Sequence, residues 1–138
     1  MLSIYKYQSK IISDIFVTGY LEESENGIYC FKPLYDRVYF EIDNKIHEIS
    51  VSEEGKITSK EVEKISPWFE VDEDDMFSIS SVYIQTFRTE EPATIKKIEI
   101  QKSILAPLKV EVELIGVKYE LELDAHNIFG FSFSLREH

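Results

Sequence analysis

Cys30 and the histidines His47, His126 and His138 are the side chains that most directly offer chemistry. A cysteine becomes a nucleophile when a nearby base takes its proton, and His47 is the histidine nearest to it in sequence. Cys30, however, stands in Ile28-Tyr29-Cys30-Phe31, an apolar strand-like setting. A thiol there behaves as a small buried hydrophobe, so we read Cys30 as structural. A zinc-binding helix needs two histidines one turn apart. These three are widely separated, and only a spatial pairing of His47 with His126 could hold a metal, so none is expected. The five glycines, Gly19, Gly27, Gly55, Gly116 and Gly130, are dispersed and form no phosphate-cradling loop. No cofactor is expected. Carboxylate pairs of the glycosidase kind can be drawn among 26 acidic residues, but that abundance singles out no pair. Glu111, Glu113, Glu120 and Glu122 alternate with apolar residues and read as the solvated face of a hairpin.

One segment departs from the rest. Residues 48–75 carry three basic and ten acidic side chains, seven of the eleven excess negative charges of the chain. The segment ends in Pro67-Trp68-Phe69-Glu70-Val71-Asp72-Glu73-Asp74-Asp75. The only tryptophan and a phenylalanine thus stand directly before Glu70, Asp72, Glu73, Asp74 and Asp75. An acidic surface speeds association with a basic protein, and an aromatic anchor supplies affinity. Trp68, Phe69 and these five acids are therefore the candidate partner-binding residues. The competing picture has Trp68, Phe69 and Val71 turned inward as a core anchor, with the acids a solvated loop. The spacing does not match a calcium loop, which needs a glycine at its sixth position.

The whole chain bounds these readings. Its 138 residues correspond to one domain spanning 1–138, since domains average roughly 150 residues. Hydrophobic residues make up 43% and charged residues 30%, which is a globular balance. A net charge of −11 disfavours nucleic acid and anionic membranes as partners. One cysteine cannot form an intrachain disulfide, which fits a reducing compartment. Met1-Leu2-Ser3-Ile4-Tyr5-Lys6-Tyr7 shows no basic stretch followed by an apolar run, and no run of about 20 apolar residues exists to span a bilayer. A cytoplasmic location is expected.

The elements that must position these residues are strands. Alternation of apolar and polar residues predicts half-buried strands at Leu108–Leu114, Val117–Leu123 and Phe129–Leu135. If Ile115-Gly116 is a two-residue turn, Leu114 faces Val117, Val112 faces Tyr119, Val110 faces Leu121 and Leu108 faces Leu123. All four pairs are apolar. The other face then pairs Glu113 with Lys118 and Lys109 with Glu122, and a one-residue slip would mix the faces. Ile11–Tyr20 and Ile28–Lys32 flank an Asn26-Gly27 turn, and Arg37–Ile42 and Ile46–Val51 flank a second around Asp43-Asn44-Lys45. Met76–Phe87 reads as a strand buried on much of both faces, with a helix as the alternative. Ala93–Gln101 reads as another strand, bulged at Lys96-Lys97. Ser59–Ile65 is the one stretch that asks for a helix, ended by Pro67, with an irregular loop as the equal alternative.

About nine or ten short strands with at most one short helix define a mostly β, single-domain antiparallel barrel or two-sheet sandwich. The expected function is a non-enzymatic acidic protein-binding domain, in concrete form an immunity or antitoxin-type inhibitor of a basic partner protein. The alternative is a small-molecule carrier whose nine Phe, eight Tyr and one Trp line a barrel cavity. An enzyme using carboxylates is the third possibility.

Overall fold

The computed structural model describes residues 8–51, 57–70, 76–100, 108–124 and 132–137. The chain is mostly β. Among the described residues nine strands, β1 (Ile11–Glu23), β2 (Tyr29–Ile42), β3 (Lys45–Val51), β4 (Ile57–Val62), β5 (Met76–Ser81), β6 (Ala93–Ile100), β7 (Leu108–Leu114), β8 (Val117–Asp124) and β9 (Ser132–Glu137), form one antiparallel sheet. The strand order is β4-β3-β2-β1-β6-β7-β8-β9, with β5 beside the C-terminal half of β1. Among the described residues the sheet is not closed by hydrogen bonds.

A short helix, α1 (Tyr83–Phe87), packs against both β1 and β9. Those strands lie four steps apart, about 19 Å in a flat sheet at roughly 4.8 Å per step. A five-residue helix is only about 7.5 Å long. The sheet must therefore curl around α1. One cluster of buried residues fills the concave side and draws on β1 (Ile12, Ile15, Val17), β2 (Val38, Phe40, Ile42), α1 (Tyr83, Phe87) and β7 (Val110, Val112), among others.

The β7–β8 hairpin has the expected register throughout, Leu108↔Leu123 to Leu114↔Val117. Val112 is fully buried and Tyr119 packs against the core. Glu113 and Lys118 are opposite each other, but the ion pairs run diagonally. Lys118 Nζ lies 4.0 Å from Glu111, and Lys96 Nζ of β6 lies 3.7 Å from Glu113. The carboxylate face is thus half-buried and braced by neighbouring strands, not simply solvated. The Lys96-Lys97 irregularity in β6 is also present, as a register shift between Ile95 and Lys97.

Ile115 and Gly116 form the turn with φ of 52° and 78°. Both angles are positive, as a type I′ turn requires, and a β-branched residue resists that conformation by about 1–2 kcal/mol. Ile115 is also 71% exposed, so little burial offsets the strain. Ile115→Asn is expected to raise stability by about 1 kcal/mol in denaturant unfolding. The β2–β3 turn is of the same kind, Asp43-Asn44 alone, with Ile42 opposite Lys45.

Three local expectations are corrected. Ser59–Ile65 is not helical: Ile57–Val62 is the edge strand β4. Met76–Phe87 is not one strand, because β5 ends at Ser81 and α1 follows. Tyr83 and Phe87 are one helical turn apart and their rings meet at a tilt of 46° with centroids 4.6 Å apart, while Ile84 is exposed. The Arg88 N–H closes the helix on the Ile84 carbonyl. Finally, Ile28–Lys32 and Arg37–Ile42 are parts of one strand, β2. Its register against β1 jumps from Val17↔Val38 to Thr18↔Leu34, so Tyr35, Asp36 and Arg37 have no partner on β1.

Candidate functional site

Alternation along β1 puts Ile15 and Val17 on the concave core side and Thr18 on the other face. Thr18 is nevertheless fully buried. Its cover is Trp68, whose Nε1–H donates to Thr18 Oγ1 at 2.8 Å. The bulge in β2 supplies the second contact. It frees Arg37 from β1, and the Arg37 guanidinium carbon stands 4.8 Å from the Trp68 ring centroid. Phe69 meets Trp68 edge to face at 5.0 Å and reaches Phe77 of β5 at 5.8 Å. Trp68 and Phe69, in the stretch that follows β4, thus lie on the convex face, with Trp68 pinned over β1 and β2.

Arg37 continues into a polar row. Its Nη1 lies 3.4 Å from Glu48 Oε1, and Lys60 of β4 approaches the same oxygen at 3.8 Å. The Glu48 side chain is only 9% exposed, so Arg37 is the partner that matters; the Lys60 pair is largely solvated. Tyr39 lies opposite Glu48 in the β2–β3 ladder and is buried. Burial pushes its hydroxyl up to about 12, and the Glu48 charge and a hydrogen bond to it push the same way. Tyr83, on the core side, is raised to about 12 as well, first by burial and then by Asp14. Both tyrosines therefore stay protonated in the folded chain where an unfolded tyrosine has begun to ionise. The folded state binds more protons above pH 10, so stability is full below that value and falls as pH climbs toward 12. An alkaline titration is expected to show tyrosinate absorbance rising together with loss of β-structure circular dichroism.

Of the residues proposed from sequence, Trp68 and Phe69 are half-buried and engaged within the chain, and Glu70 is exposed. Asp72, Glu73, Asp74 and Asp75 lie outside the described residues. The two aromatic rings pack within the chain on the convex face, outside the buried core cluster. Thr18, Arg37, Tyr39 and Glu48, which seat Trp68 or continue its polar row, have no signature in sequence beyond two charged residues, Arg37 and Glu48, in otherwise strand-like runs.

Cys30 is exposed, which corrects the expectation of a buried thiol. It pairs with Glu22 near the tip of the β1–β2 hairpin, which runs past the core. His47, by contrast, lies opposite Phe40, which pairs with Ile15. Seven residues of strand separate the two levels, about 23 Å at 3.3 Å per residue, so Cys30 and His47 cannot form a dyad. His126 lies outside the described residues. Among the described residues no three His, Cys, Asp or Glu side chains group to hold a metal ion, and no helix is long and apolar enough to cross a membrane. No protein-family model, curated protein or solved structure matches the chain.

Proposed function

We propose that the chain is a non-enzymatic acidic protein-binding domain, in concrete form an immunity or antitoxin-type inhibitor of a basic partner protein in the cytoplasm. The observation that carries this is the segregated charge of residues 48–75. The seating of Trp68 on Thr18 and Arg37 supports it, because it fixes the point from which the acidic run departs. Trp68 and Phe69 then act as positioning residues, and the acids carry the attraction. Long-range attraction of this kind raises association rates and weakens with salt.

The test is capture of basic proteins from an extract of the source cell by wild type and by a variant carrying Asp72→Asn, Asp74→Asn and Asp75→Asn. Wild type should retain a basic protein at low salt and lose it as salt rises. The variant should fold equally well, capture less at low salt and show a flatter salt response. Equal capture by both proteins at every salt concentration would overturn the proposal.

A further inference from the structure

At the far end of the β1–β2 hairpin the concave side continues beyond the core as an apolar strip open to solvent. The register sets Leu21 between Phe31 of β2 and Met76 of β5, with the Glu23–Tyr29 pair as the next row. Phe31 still touches the core, but Tyr29 and Met76 are each 52% exposed and Ile28 at the turn is 61% exposed. Four apolar side chains at adjacent positions on three strands are more than scattered exposure, and such patches mark interaction surfaces. The rim is acidic: Glu22, Glu23 and Glu25 are all exposed around the turn, and Glu23 accepts a hydrogen bond from the Tyr29 hydroxyl at 3.4 Å. Pairing of Leu21 with Met76 also brings this end of the sheet to the residue that directly follows the acidic run in sequence.

We infer that Leu21, Tyr29, Phe31 and Met76 form the contact patch for a basic amphipathic segment of a partner, one that sets apolar side chains among lysines or arginines. The inference rests on the function proposed above and adds an apolar anchor to it, since Trp68 and Phe69 are engaged within the chain. Charge complementarity selects the occupant. A second copy of this chain would bring the same glutamates together, whereas a cationic segment neutralises them while its apolar residues cover the strip. Tyrosine supplies a large contact area with a polar tip, and methionine adapts its shape to different partners.

Two labelled peptides of equal positive charge test this by fluorescence anisotropy, one alternating lysine with leucine at amphipathic helical spacing, the other with glutamine in place of leucine. Wild type should bind the leucine peptide roughly tenfold more tightly, a margin worth about 1.4 kcal/mol. Tyr29→Ser with Met76→Ser should erase that margin and leave the weaker, salt-sensitive binding of both peptides intact. Val117→Ser, an exposed apolar change on β8, should keep the margin. Equal binding of the two peptides by wild type, or a margin that survives the double change, overturns the patch while leaving the electrostatic reading standing. Binding of the leucine peptide that ignores salt overturns the electrostatic reading alone. Binding of neither peptide overturns both.

Discussion

Gly19→Ala is expected to cost about 3 kcal/mol or more, enough to remove a large part of the stability of a domain this size. Gly19 sits in the middle of β1, buried, opposite Pro33 on β2 and Ser78 on β5. A methyl group there would overlap the Lys32 carbonyl oxygen and come within 2.9 Å of the Lys32 carbonyl carbon and the Pro33 Cα. All three atoms are backbone, so no rotamer change relieves the overlap. Nor can β1 slide away, because β5 holds its other edge at Gly19↔Ser78. The β1–β2 ladder must open, and it carries the Thr18 seat of Trp68 with it. A drop of about 10 °C in the thermal midpoint should therefore come with a shift in the fluorescence of the only tryptophan. Gly116→Ala provides the contrast. Nothing lies within 4 Å of its added methyl, and only its φ of +78° resists the change. That variant should lose about 1 kcal/mol with the Trp68 signal unmoved. Similar losses at both positions would mean that the close approach of β1 and β2 is readily relaxed.

What could be read from the sequence depended on how local the cause was. The β7–β8 hairpin was legible because both strands alternate cleanly and the turn between them is two residues long, so one register satisfies every apolar pair. The bulge in β6 was legible because two adjacent lysines cannot both face solvent in a regular strand. β2 reads as two strands in the sequence because Tyr35, Asp36 and Arg37 interrupt its pairing to β1, while Arg37 still pairs to Ser50 of β3. β4 resembled a helix because an edge strand carries charges on both faces, so its pattern lacks a period of two. Residues 83–87 resembled a strand because Tyr83 and Phe87 fall on one side at either spacing, and only their packing on β1 and β9 separates the cases.

The candidate site was legible as a charge pattern and not as a geometry. Seven excess negative charges in 28 residues need no fold to be seen. The seat of Trp68 involves Thr18, fifty positions earlier, and Arg37 on a different strand, and no pattern in the chain links them. The exposure of Cys30 was hidden for a related reason. Ile28-Tyr29-Cys30-Phe31 has the composition of a core strand, and only the length of the hairpin relative to the core carries it past the apolar cluster. The same overhang exposes Tyr29, so the misread cysteine and the proposed contact strip have one structural origin.

Trp68→Ala should cost about 2 kcal/mol, below the 3–5 kcal/mol of a fully buried aromatic because the ring is only half-covered. Three contacts go at once: the hydrogen bond to Thr18, the stacking of Arg37 and the edge-to-face packing of Phe69. Water can reach Thr18 once the ring is gone, so no buried hydroxyl is left without a partner. Trp68→Phe keeps a ring beneath Arg37 but removes the N–H donor, and it should cost only about 1 kcal/mol. Among the described residues, side chains of Trp68 and Phe69 are what pin residues 63–70 to the sheet, so amide exchange across that stretch should rise in the alanine variant more than in β1 or β2. Both substitutions leave every acidic residue in place, which separates positioning from charge. If the seated tryptophan sets where the acidic run departs, the alanine variant should capture a basic partner more slowly at low salt even under conditions where it is fully folded. The phenylalanine variant should be nearly unchanged. Capture by the alanine variant at the wild-type rate, with its amides exchanging fast, would show that the partner responds to the charge of the segment regardless of where the sheet holds it.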